Sequence, residues 1–156
     1  MRRVLARRRT SLRDNHSTMS QRNVEIVREV IALMNGGANG ELEPRLFDLF
    51  AVEAQVDMSR RPLHPDIYQG HPGLRRLRLE VPEVWEGFLL SPERIMDAGE
   101  SVMVIETRPV RTSPRGAELE RRSAVIWTVR NGRVTRVEVG LDAQEALELV
   151  RLREFL

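Results

Sequence analysis

The residue pattern predicts an α+β fold built on an antiparallel sheet. Three observations carry the prediction. Helical periodicity is confined to the first half of the chain and its end, four strand-like runs follow one another between them, and Asn131-Gly132 sits between two apolar runs. Strands that run together after early helices, instead of alternating with them, point to this class.

Val24, Val27, Val30, Ile31 and Met34 follow the i, i+3, i+4, i+7 spacing of an amphipathic helix. Ser20 or Asn23 can cap its start, and Gly36-Gly37 can end it in the left-handed conformation. A short second helix begins at Pro44, which suits a first turn, and buries Leu46, Phe47, Leu49 and Phe50. Residues 52–58 alternate as a first strand. Pro62, Pro65, Gly70 and Pro72 make residues 60–72 a loop. A third helix from near Gly73 carries Leu74, Leu77, Val81, Val84, Trp85 and Phe88, with a kink or break expected at Pro82. Strands are expected over 91–97, 101–110 and 118–130, and over Val134–Val139 after the Asn131-Gly132 turn. An Asn-Gly pair accepts the positive φ values that a type I′ turn requires. Asp142 caps a final helix carrying Ala143, Ala146, Leu147, Val150 and Phe155.

The 156 residues are about one domain at the usual prior of roughly 150. The absence of Cys excludes disulfides, Cys-based zinc sites and a Cys nucleophile. No run reaches the roughly 18 apolar residues of a membrane span. The sequence pI of 10.2 suggests a basic protein, but the charge is unevenly placed. All 25 basic residues are Arg, and residues 1–22 hold seven of them against Asp14 alone, a net of +6. The remaining 18 Arg face 22 acids, a net of −4. Residues 1–19 are therefore read as an Arg-rich disordered leader and 20–156 as the folded domain. The leader has no apolar core of a signal peptide. Met19-Ser20-Gln21-Arg22-Asn23 opens a more typical start, so an upstream start codon is one expectation. A tail without specific function is another. A targeting or polyanion-binding arm is the third, and nucleic acid would be a partner only through this leader.

The order of elements, together with Met34-Asn35-Gly36, Leu49-Phe50-Ala51, Tyr68-Gln69-Gly70 before Gly73-Leu74-Arg75-Arg76, Asn131-Gly132-Arg133-Val134 and Leu141-Asp142 with Ala146-Leu147, resembles the SnoaL-like branch of the nuclear-transport-factor-2-like superfamily. The resemblance spans roughly residues 20–150. It implies a cone: a strongly curved antiparallel sheet wrapped around about three N-terminal helices, with a short C-terminal helix and an apolar pocket. It also implies a homodimer; the protein is expected to be cytoplasmic and to act without cofactor or metal. Fold alone assigns no activity. Where ketosteroid isomerases in this superfamily keep a Tyr, a general-base Asp and a protonated Asp, this chain has Val30, Met58 and Val125. Where the limonene-epoxide-hydrolase type keeps an Asp on its last strand, it has Val139. These side chains cannot move protons.

Strand period 2 places Arg121, Ser123, Val125, Trp127 and Val129 on one face, with Thr135, Val137 and Val139 facing them. Such a wall suits a small apolar organic molecule. The expected ligand-binding residues are Trp85, Arg121, Val125, Trp127 and Val139. The candidate catalytic residues are Asp57, a base if burial raises its pKa, and Tyr68, whose hydroxyl could orient a carbonyl. The competing reading of Asp57 turns it to the other face, solvated or paired with Arg60 or Arg61. His64 and His71 match no metal motif. The function read from these features is small-molecule binding, extending to cofactor-independent cyclase, isomerase or dehydratase chemistry. The alternative is a non-catalytic ligand-binding or dimerisation module.

Overall fold

The computed structural model describes residues 21–34, 44–60, 65–80, 94–111 and 118–154, without the side chains of 106–111, 118–121 and 154. Helix α1 is described over residues 21–34. It is followed by α2 (Pro44–Leu49), β1 (Phe50–Asp57), β2 (Ile67–Gln69), α3 (Gly70–Glu80), β3 (Arg94–Ala98), β4 (Ser101–Arg111), β5 (Glu118–Arg130), β6 (Arg133–Asp142) and α4 (Ala143–Glu154). The leader, Pro82, Trp85 and Phe155 lie outside the described residues.

The α+β class holds. The six strands form one sheet in the order β2-β1-β6-β5-β4-β3. Its pairings are antiparallel except that of β1 with β6, which is parallel, so the sheet is mixed. β1 is fed by a helix and β6 by a hairpin, and both run the same way into the centre of the sheet. Two further differences are local. Phe50 opens β1 instead of closing α2. Residues 67–69, expected as loop, form edge strand β2, which pairs Tyr68 with Val56.

The β5–β6 turn forms as predicted, with φ of 52° at Asn131 and 76° at Gly132. Asp142 caps α4 by accepting the Gln144 N–H at 3.1 Å. Arg151 and Arg153 occupy the last turn of α4, where cations complement the helix dipole.

Two apolar clusters sandwich the sheet. One joins α1, α2 and α3 to one face through Val27, Val30, Leu46, Leu77, Val56 and Trp127, among others. The other packs Ala146 and Val150 of α4 against Met103, Ile105, Ala124 and Ile126 on the opposite face. The period of 2 in the strands therefore serves two cores, one on each side.

Gly73 lets α3 lie against β2. A Cβ there would stand 2.8 Å from the backbone carbonyl carbon of Tyr68, with no room to shift. Gly73→Ala should therefore cost about 1–3 kcal/mol, the usual range for overpacking, measured as a lowered urea midpoint. A midpoint unchanged from the parent would contradict the close packing of α3 on β2.

Candidate functional site

The pairing of β1 and β6 sorts the polar residues. Val56 lies opposite Val137 and Asp57 opposite Glu138. Val56 and Val137 belong to the helix-covered core, so Asp57 and Glu138 face the α4 side. They are the two buried charged residues among those described.

On β5 the alternation places Val125, Trp127 and Val129 in the helix-covered core, as the sequence predicts, and Val139 packs against the same cluster. The structure thus brings together three of the expected ligand-binding residues. Arg121 lies within β5, but its side chain, like the whole of Trp85, is outside the described residues. Thr135 departs from its expected face. β5 pairs Thr128 with Arg136 and Val129 with Val134, leaving Thr135 as the extra residue of a bulge. Its hydroxyl donates to the Thr128 carbonyl at 3.3 Å. The same bulge explains why Thr135 and Arg136 both line the opposite face.

Trp127 is 3% exposed, and its indole Nε1–H has no hydrogen-bond partner among the described residues. A buried donor left unpaired costs about 1–3 kcal/mol. Trp127 belongs to an apolar cluster with Val102 and Val104 on β4 and Val30 on α1.

Asp57 is buried beside groups that favour its charged form. Its side chain is 10% exposed, and Arg136 and Arg60 lie 3.5 and 4.0 Å away. Oδ1 accepts the Ser59 hydroxyl at 2.6 Å and the Ser59 N–H at 3.0 Å. Burial alone would raise its pKa. The Ser59 hydrogen bonds, with Arg136 and Arg60 behind them, outweigh it and hold the carboxyl below its ordinary value. Of the two sequence readings, the one that turns Asp57 outward toward Arg60 is the one observed.

Tyr68 is also committed elsewhere. It is 1% exposed, its hydroxyl donates to Glu80 at 2.9 Å, and the Arg76 guanidinium lies 4.7 Å from its ring centre. Arg76 in turn binds Asp66 at 2.6 Å and Glu80 at 3.2 Å. Burial first, then the Glu80 carboxylate, raises the phenol pKa. The hydroxyl therefore ties β2 to the end of α3. His71 sits 3.2 Å from the Phe50 carbonyl and 5.2 Å from the Phe47 ring. Among the described residues no three His, Asp or Glu side chains are grouped as metal ligands. No helix among them is long and apolar enough to cross a membrane.

Sequence reasoning missed Glu138 and Arg153. Glu138 is 1% exposed and accepts both Arg153 Nη groups, at 2.7 and 3.0 Å. This bidentate pair fastens α4 to the sheet. A signal existed: Ala146, Val150 and Arg153 share one helix face at i, i+4, i+7, and Glu138 alternates with Val137 and Val139.

No protein-family model and no curated protein matches this sequence. Solved structures do. TerC, co-crystallised with polyporic acid, is 26% identical, with a TM-score of 0.56 over 83% of this chain and 98% of its own. An NTF2-like protein from Burkholderia xenovorans LB400 is 22% identical, with a TM-score of 0.57 over 82% and 95%. SalBIII, an epoxide hydrolase/cyclase-like enzyme in pyran ring formation in polyether salinomycin, is 18% identical, with a TM-score of 0.54 over 80% and 94%. These likenesses bear out the expected fold, that of NTF2-like proteins.

Two outcomes follow from the charged face. Because the folded-state pKa of Asp57 is lowered, its stabilising share is complete above the unfolded value of about 3.9 and is lost as pH falls through the folded value. Asp57→Asn should cost about 1–3 kcal/mol at pH 7 and the gap to the parent should close in acid; a gap independent of pH would contradict the assignment. Arg153→Met should cost about 2 kcal/mol, less than for a fully enclosed pair because its side chain is 38% exposed. Adding Glu138→Gln should restore part of the loss in urea unfolding.

Proposed function

We propose that this chain binds a small, mostly apolar organic molecule carrying a hydrogen-bond acceptor, between the sheet and the helices α1–α3. The observation that carries the reading is the buried Nε1–H of Trp127, unpartnered among the described residues, in one apolar cluster with Val102, Val104, Val125 and Val137. A ligand oxygen there would remove the cost of the orphaned donor, while the aliphatic wall would hold the body of the molecule. The likeness to TerC, crystallised with polyporic acid, supports a ligand of this kind.

The reading is of a binder. The buried carboxylates among the described residues, Asp57 and Glu138, belong to the α4 side, and Tyr68 is engaged by Glu80. SalBIII, described as a cyclase-like enzyme, supports a cyclase, isomerase or dehydratase as the second reading. That reading would need a proton-transfer group from outside the described residues. The homodimer, the cytoplasmic setting and the independence from cofactors belong to the same proposal.

Calorimetric titration with polyporic acid as the probe tests it. Binding should weaken about three- to tenfold in Trp127→Phe, the worth of one net hydrogen bond. Equal affinity in the two proteins would contradict the role given to the indole.

A further inference from the structure

We propose that the chain carries a second ligand site, on the α4 side of the sheet, that takes a small zwitterion: a molecule with a carboxylate and an ammonium group, of the amino-acid class. The proposal does not rest on the reading of the helix-covered face.

The described residues outline a half-open cleft of about 720 Å³ on this side, within the range of roughly 300–1,000 Å³ usual for small-molecule sites. β1, β6 and β5 supply its floor. The last turns of α4 and the β3–β4 turn supply its sides. The bulge at Thr135 shapes it, since bulges re-aim side chains and here two successive residues, Thr135 and Arg136, line the same cleft.

The charges in and under the cleft nearly all have partners of their own. Arg153 is clamped on Glu138 through two hydrogen bonds. Asp57 is held by Ser59 and has Arg60 at 4.0 Å. Arg130 lies 3.4 Å from Glu100. Two groups are less fully engaged, a cation with ion pairs but no hydrogen bond and an anion with no partner among the described residues. Arg136 stands 3.5 Å from both Asp57 and Glu138, yet it makes no hydrogen bond among the described residues, and its side chain is 44% exposed. Glu53 is exposed and has no partner among the described residues. Both line the cleft.

Their placement follows from the register. Arg136 lies opposite Gln55, and Glu53 is two residues earlier on the same side of β1. Two residues of rise and one strand spacing put the two positions roughly 8 Å apart along the sheet. Long side chains from such positions converge on a ligand a few atoms long.

The balance of charge selects the ligand. A simple anion would share Arg136 with two carboxylates already beside it and would meet Glu53. A simple cation would meet Arg136 and Arg153. A zwitterion gives Arg136 a carboxylate to hydrogen-bond and Glu53 an ammonium, and adds no net charge. Arg136 can offer its terminal N–H groups to a carboxylate in the bidentate manner of a guanidinium, and Glu53 can accept from an ammonium. The Ser101 and Thr128 hydroxyls and the Gln55 amide remain for the rest of the molecule.

The test is an NMR titration of the ¹⁵N-labelled full chain with 4-aminobutanoate, and with its two halves, butanoate and butylamine. The zwitterion should shift the amides of Gln55, Ser101 and Thr128 and bind at least about tenfold more tightly than either half, since each half forfeits a charge-assisted hydrogen bond. Arg136→Gln and Glu53→Gln should each weaken it about tenfold. Glu53 is exposed, so Glu53→Gln keeps the fold and decides the matter should Arg136→Gln disturb it. Butanoate binding as tightly as 4-aminobutanoate, unchanged affinity in Glu53→Gln, or no shifts at the cleft would overturn the proposal.

Discussion

A carboxylate with 1% exposure has to be paired, and the pairing of Glu138 organises much of this molecule. It stands on β6, between β1 and β5, beneath α4. Arg153 meets it through two hydrogen bonds, and this brings the far end of α4 down onto the sheet. The apolar side of α4, Ala146 and Val150, then lies over Ala124 and Ile126. The same carboxylate has Arg136 at 3.5 Å, and Arg136 has Asp57 at the same distance. One buried charge thus gathers a strand, a helix and the end of β1 into a single polar network.

Because side chains alternate along a strand, collecting charge on one side leaves the other apolar. Val56 and Val137 stand next to Asp57 and Glu138 in the chain but belong to the opposite core. The segregation gives the two faces different chemistry. Among the described residues, the helix-covered face offers aliphatic surface and an indole donor without a partner. The α4 face offers guanidinium and carboxylate groups around a cleft. Among the described residues the two buried acids, Asp57 and Glu138, stand on the α4 side.

Much of the fold was legible in the sequence, for reasons that are local. The helical spacing of Val27, Val30, Ile31 and Met34, the Asn131-Gly132 turn and the Asp142 cap are short-range signals, and each formed as read. Strand β2 was not legible, because three residues inside a Pro-rich stretch carry no readable period. The parallel pairing of β1 with β6 was not legible either, since alternation sorts faces and says nothing of strand order. Of the site, the wall of Val125, Trp127 and Val139 could be read from period 2, and so could the outward turn of Asp57. The bulge at Thr135 could not, because one inserted residue reverses the faces beyond it. The lack of a partner for the Trp127 indole among the described residues is a property of three-dimensional packing and has no trace in the chain.

The central claim is that the two faces are chemically separate, with the Trp127 indole as the recognition donor of the apolar one. The most direct measurement is the ¹H–¹⁵N resonance of the Trp127 side chain, followed during titration with polyporic acid. The account predicts a downfield shift of the indole proton as it gains an acceptor, with the amides of Thr128 and Arg136 unmoved. An unmoved indole resonance, with binding registered on the α4 face instead, would contradict it.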